Sequence, residues 1–254
     1  MSIKRHLLTK FNNICLQPLG LRLQRNNTAA LQWEYDRTLG RDLQRELVDF
    51  VGKEKPVILD VGANQGQSIK AFLAIWPEST ITSFEPDPTS ADQMRRRWGR
   101  LPGIEIVEMA VLSSTSTAEL YRFNSSELNS VFDRQEQSWI REEAIGRVTV
   151  PCVSLDEYCY SNTIDLIDLL KVDVQGAELQ VILGAKRLLE NHLIRLVQLE
   201  LTFCDLYQGG CRPHEVFAKM ETMGYRFIAI YNQIIENGRL QWADGLWRSE
   251  SSFT

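Results

Sequence analysis

The sequence predicts an α/β domain on a mostly parallel sheet, and three observations carry that prediction. Short apolar runs alternate with stretches of helical periodicity over 57–107, and again over 165–222. A glycine-bearing turn joins the first run to the first helical stretch. The last apolar runs flank Asn237-Gly238, which marks a tight antiparallel hairpin. A length of 254 residues fits one domain of ordinary enzyme size.

Taken in order, residues 1–33 hold Lys4, Arg5, Lys10, Arg22 and Arg25 and no acid. This segment carries +5 in a chain of net charge −5, leaving −10 for the rest. It suits a solvated arm, or peripheral attachment to an anionic membrane surface. Leu39, Leu43, Leu47, Phe50 and Val51 then share a helical face, with Gly52 as stop, so 1–54 reads as an extension that includes a helix. Val57–Leu59 opens the first strand. Ile69, Phe72, Leu73 and Trp76 line a helix that Pro77 ends, and Ile81–Phe84 is a second strand. Asp87 caps a helix with Pro88 in its first turn and Ala91, Met94 and Trp98 inward; Ile104–Val107 is a third strand.

Residues 113–155 break the rhythm and read as an insertion or lid, with strands at Thr117–Phe123 and Val148–Val153 and isolated anchors at Trp139 and Ile140. The run 165–174 is the fourth strand of the main sheet. Gly176-Ala177-Glu178 opens one helix with Val181, Ile182, Ala185, Leu188 and Leu189 inward. Residues 194–202 form a strand, and Pro213 starts a helix over Val216, Phe217 and Met220. Tyr225–Tyr231 and Arg239–Trp242 pair around Asn237-Gly238, so seven strands are expected with the last antiparallel, then a tail over 249–254.

Composition excludes several classes. The chain is 44% hydrophobic and 24% charged, which rules out a disordered segment or fibre. Its acidic balance argues against nucleic acid as partner, because such binding is driven by Lys and Arg contacts to phosphate. No stretch approaches the length of a membrane helix. Cys15, Cys152, Cys159, Cys204 and Cys211 contain no CxxC pair and read as incidental thiols of a reducing cytoplasm.

The chemistry gathers at Asp60-x-Gly62-x-x-x-Gly66. The spacing differs from the dinucleotide fingerprint G-x-G-x-x-G, and no Gly-Lys-Ser/Thr of a phosphate-binding loop follows. A glycine turn without a phosphate-binding lysine suits a ligand that has no phosphates. Glu85 ends the second strand, 19 residues beyond Gly66, where a carboxylate accepts from ribose hydroxyls. Together these point to S-adenosylmethionine.

The segments VILDVGANQGQS (57–68), SFEPDP (83–88), VSLDEY (153–158), LLKVDVQGAELQVILGA (169–185) and QLELTFCDLY (198–207) occur in one order. In this the chain resembles the FkbM-type methyltransferases over residues 55–248. The resemblance implies a Rossmann-like class I methyltransferase fold and S-adenosylmethionine-dependent O-methylation of a sugar, glycan or other natural product. It implies that Asp60, Gly62, Ala63, Asn64 and Gly66 surround the methionine part, Glu85 the ribose, and Glu108 to Val111, including Ala110, the adenine. It sets Asp173 beside the sulfonium, and Asn129 and Ser130 at the amino-acid end of the cofactor. Gln175 departs from the family's usual acid in VDVQGAE.

Methyl transfer to an alcohol needs alignment and removal of a proton. Candidates for that work are Asp173, Glu200 and His214. Asp173 and Glu200 end neighbouring strands, as a base pair or as two oxygen ligands of a magnesium-type ion. The acceptor is a small molecule or a glycan. The competing reading is a non-catalytic S-adenosylmethionine-binding or scaffolding protein.

Overall fold

The computed structural model describes residues 42–135, 140 and 142–250. Leu39, the basic N-terminal residues, Cys15 and Trp139 lie outside these. The first element is α1 (Leu43–Val51), where the Asp42 carboxylate accepts from the Arg45 N–H and Gly52, at φ 59, closes the end. Leu43, Leu47 and Val51 fall on one face and share a core with Ile58, Trp76 and Leu196. The compact unit accordingly begins at Asp42. The helix lies within that unit.

Seven strands form the main sheet. In chain order the elements are β1 (Val57–Val61), α2 (Gln67–Ile75), β2 (Thr80–Phe84), α3 (Pro88–Trp98), β3 (Ile104–Val107), β4 (Ala110–Val111), β5 (Ser116–Arg122) and β6 (Gly146–Val153). Then come α4 (Leu155–Ser161), β7 (Ile167–Val172), α5 (Glu178–Gly184), α6 (Lys186–Glu190), β8 (Ile194–Thr202), α7 (Pro213–Thr222), β9 (Tyr225–Glu236) and β10 (Arg239–Ser249). The sheet order is β3-β2-β1-β7-β8-β10-β9, with β1 inside and β10 alone running opposite to the other strands. Core layers cover both faces, one centred on Leu59, Leu170 and Val197, the other on Ile58, Leu169 and Leu196. That alternation follows from the period of two along strands buried on both sides.

The structure adds to the sequence reading at three places. Within 113–155, β5 and β6 join β4 in a second sheet, of order β4-β6-β5, with its own core of Ala110, Leu120, Val150 and Cys152. Residues 155–161 form α4, where Ser154 caps the Glu157 N–H; seven residues are too few for periodicity to register. The single helix expected from 176 to 189 is two. A Cβ on Gly184 would stand 2.1 Å from the Leu112 carbonyl oxygen, so the helix meets the β4–β5 connection there. The Asp156 carboxylate then accepts from the Arg187 and Leu188 N–H groups, giving α6 a separate start.

Register delivers the site. Val61 pairs with Phe84 on one side and Val172 on the other, and Val172 pairs with Leu199. The next residues along β1, β2, β7 and β8 are Gly62, Glu85, Asp173 and Glu200, so one sheet edge collects all four. Ligands of open parallel sheets bind outside these carboxyl ends.

Candidate active site

A cavity of about 370 Å³ opens at this edge. Its wall includes Gly62, Ala63 and Asn64, then Glu85, then Met109 to Leu112, then Ser126 to Val131, then Lys171, Asp173, Gln175, Glu200, Thr202 and Trp242. Its size falls within the range of small-molecule sites, which is about 300–1,000 Å³.

The turn after β1 is built for close approach. Gly62 has φ 80, and a Cβ there would lie 1.8 Å from the Asp173 carbonyl oxygen. The Gly62 and Ala63 N–H groups both donate to the Phe84 carbonyl at 3.0 Å. Asn64 takes the left-handed region at φ 48, and its N–H donates to Glu85 Oε2 at 2.8 Å. Glu85 Oε1 accepts from the Asp87 N–H at 2.8 Å. Burial pushes the Glu85 carboxyl up to about 7, opposed by those two N–H donors. Asp87 in turn caps α3 through the Thr89 and Ser90 N–H groups.

A turn over Ser126–Leu128 crosses the cavity. Ser126 Oγ donates to Asn64 Oδ1 at 2.8 Å, and Gln67 Nε2 donates to Glu127 Oε1 at 3.2 Å. Asn129 Oδ1 accepts from the Phe123 N–H at 2.9 Å, and Ser130 Oγ donates to the Gln175 carbonyl at 2.8 Å. The turn thus ties the glycine loop to the loop after β7.

The opposite wall is ionic. Lys171 Nζ stands 3.6 Å from Asp60 Oδ1 and 3.5 Å from Asp173 Oδ2. Burial alone would lower the Lys171 pKa, but the carboxylates of Asp173, Asp60, Asp244 and Glu200 outweigh it and keep the ammonium charged. Burial, then the charge of Asp173, raises the Glu200 carboxyl well above the ordinary range. Gln175 Nε2 donates to Asp173 Oδ1 at 2.9 Å and to Glu200 Oε2 at 2.7 Å. Beneath the loop, Glu178 Oε1 accepts from the Val174 and Gly176 N–H groups, each at 3.2 Å.

The sequence of this site matches a family model described as Methyltransferase FkbM domain across residues 60–227. The chain belongs to the FkbM methyltransferase family. The 2-O-methyltransferase NoeI of Sinorhizobium fredii is 32% identical to it over 178 residues, 66% of this chain and 72% of the relative. Hexuronic acid methyltransferase AglP of Haloferax volcanii is 26% identical over 147 residues, 58% of this chain and 57% of AglP. A crystal structure of methyltransferase FkbM from Methylobacillus flagellatus has the same fold, at TM-score 0.51 and 13% identity, covering 95% of this chain and 60% of that one.

Most of the expected residues of this FkbM methyltransferase line one cavity: Gly62, Ala63, Asn64, Glu85, Ala110, Val111, Asn129, Ser130, Asp173 and Glu200. Four lie elsewhere. Asp60 is fully buried behind the wall and faces Lys171, with Ser83 Oγ 3.4 Å away. Gly66 is the N-cap of α2, at φ 81, packed against Trp98. His214 is exposed in the first turn of α7 and off the cavity wall. Glu108 pairs with Arg95 at 2.7 Å and is likewise off the wall. Sequence reasoning missed Lys171 and Tyr207, and marked Gln175 only as a departure from the family's usual acid. The signal for Lys171 was available: a lysine inside the apolar run LLKV is buried only where carboxylates hold it. Nothing in the sequence marks Gln175 or Tyr207 as neighbours.

Proposed function

We propose that the chain transfers the methyl group of S-adenosylmethionine to a hydroxyl of a sugar or glycan. The observation that carries this reading is the shared cavity: the Gly62 turn and Glu85 stand on one side, Asp173 and Glu200 on the other. The residues fit the cofactor. Gly62 leaves room that a side chain would fill, and Glu85 offers a buried acceptor for ribose hydroxyls. Bound S-adenosylmethionine supplies a methyl group on a sulfonium leaving group. Lys171 holds Asp173, and Asp173 orients the acceptor hydroxyl and receives its proton as the new bond forms. The names of NoeI and AglP support a sugar hydroxyl as acceptor.

Magnesium is not part of the reading. Among the described residues, no group of three or more His, Cys, Asp or Glu is placed to hold a metal. Nor does any helix among them have the length and apolarity to cross a membrane.

Labelled methyl transfer tests the function. The chain is incubated with methyl-labelled S-adenosylmethionine and a panel of methyl glycosides and methyl glycosiduronates, and products are located by mass spectrometry. Calorimetry with S-adenosylhomocysteine and with NADH runs alongside. Binding of the first, none of the second and a labelled sugar hydroxyl are expected. S-adenosylhomocysteine binding without transfer to any glycan extract would favour the non-catalytic reading.

A further inference from the structure

The transfer reading leaves Gln175, on the cavity wall, without a task. Gln175 follows Asp173 by two residues and stands in the left-handed region at φ 55. Its amide nitrogen reaches both Asp173 Oδ1 and Glu200 Oε2, one hydrogen for each. The acceptor oxygens of Asp173 and Glu200 call for the nitrogen end of the amide, which leaves Oε1 facing the Tyr207 hydroxyl at 2.9 Å, a hydroxyl that also lies 3.1 Å from the Leu128 carbonyl. Its backbone carbonyl accepts from Ser130 Oγ at 2.8 Å. The residue is therefore held at main chain and side chain together.

Two carboxylates at neighbouring strand ends repel each other, more so where water is scarce. Burial and the charge of Asp173 already push the Glu200 carboxyl up, and a donor that reaches both groups relieves the pair further. Lys171 serves Asp173 from the far side, through Oδ2, and shares itself with Asp60. Between Asp173 and Glu200 stands the Gln175 amide. A divalent cation in that place needs oxygen ligands, but the amide oxygen is turned away to Tyr207 and both amide hydrogens point inward.

We propose that Gln175 is a positioning residue for methyl transfer, its amide, hydrogen-bonded to Tyr207, bridging Asp173 and Glu200 in the place a divalent cation would take and fixing Asp173 toward the acceptor hydroxyl. The inference rests on the acceptor-side reading of Asp173 given above. The other charged or titratable groups around the pair are Asp60, Lys171, Glu178, Asp244 and Tyr207.

The test uses the full chain with S-adenosylhomocysteine bound, and Mn²⁺ as the metal probe. Carboxyl resonances of ¹³C-labelled Asp and Glu are followed in wild type, Gln175→Leu and Tyr207→Phe, assigned through Asp173→Asn and Glu200→Gln. Leu demands no backbone conformation that Gln175 does not already hold, and Tyr207→Phe leaves residue 175 untouched. The expected result has two parts. Mn²⁺ does not selectively broaden the Asp173 and Glu200 signals of wild type. Both signals shift and titrate differently in the two variants, while S-adenosylhomocysteine affinity stays within about threefold, the small change that goes with an unaltered cofactor side. A saturable Mn²⁺ site in wild type that Asp173→Asn abolishes overturns the proposal, and so do unmoved carboxyl signals in Gln175→Leu.

Kinetics adds a second readout. With an accepted methyl glycoside, Gln175→Leu is expected to lose kcat by ~10²-fold with acceptor KM little changed, the pattern of a lost transition-state contact. An effect wholly on KM, or kcat within threefold of wild type, also overturns it. If wild type methylates no glycoside in the panel, the sugar reading falls, and the Mn²⁺ and carboxyl measurements still decide the role of Gln175.

Discussion

Glu85 shows how one buried carboxyl couples fold, ligand and pH. Burial raises it to about 7, so the folded chain keeps a proton that the unfolded chain releases near 4.5. Its contribution to stability is therefore complete at low pH and is lost as pH rises through that window. Glu85→Gln is expected to flatten the fall of the unfolding midpoint between those two values, followed by thermal scans across pH. Ribose hydroxyls donate to the ionised form, so S-adenosylhomocysteine should bind more tightly as pH rises through about 7, with a proton released. Calorimetry in two buffers of different ionisation enthalpy reads this, and an affinity indifferent to pH there removes Glu85 from the ribose site. Asp173→Asn is a contrasting case: it keeps cofactor affinity and loses ~10²-fold or more in turnover if Asp173 meets the reacting hydroxyl. Both residues were legible from the sequence as strand-end acids. Their partners were not, because Asn64, Asp87, Lys171 and Gln175 act through hydrogen bonds and ion pairs set by chain approach.

At the scale of elements, close backbone contacts do the positioning. Gly62 lets the turn after β1 pass the end of β7, where a Cβ would overlap the Asp173 carbonyl. Gly62→Ala is expected to abolish S-adenosylhomocysteine binding in calorimetry, because the backbone it would strike is that of the catalytic candidate. Gly184 does the corresponding work at the α5–α6 junction, against Leu112 of the cavity wall. Gly184→Ala should lower stability by roughly 1–3 kcal/mol, the cost of overpacking, read as a lower urea midpoint with an unchanged slope. A neutral result would show that the contact with Leu112 is readily relieved. The sequence shows a glycine at each position. What each backbone approaches becomes known only once strands 1 and 7 are neighbours.

For the whole molecule, the boundary of the compact unit is the testable matter. Leu43, Leu47 and Val51 are buried, and a fully buried aliphatic side chain contributes ~1.5–3 kcal/mol. A chain starting at Asp42 is expected to unfold cooperatively. One starting at residue 55 loses these three burials, and its thermal midpoint should drop sharply or the transition should vanish. Equal midpoints for the two chains would return α1 to the extension.

The sequence by itself determined the α/β class, the parallel order of local units, the antiparallel close and the glycine turn with its strand-end carboxylates. Each of these is written locally, in apolar period, capping residues and turn chemistry. Only the tertiary structure decided that β4, β5 and β6 make a second sheet, that α5 and α6 are separate, that Lys171 and Gln175 share a wall with Asp173 and Glu200, and that Tyr207 bonds to Gln175. Those facts depend on which distant segments meet. The pairing of β7 with β1 joins residues more than a hundred positions apart, and no local pattern encodes which side chains then face one another across it.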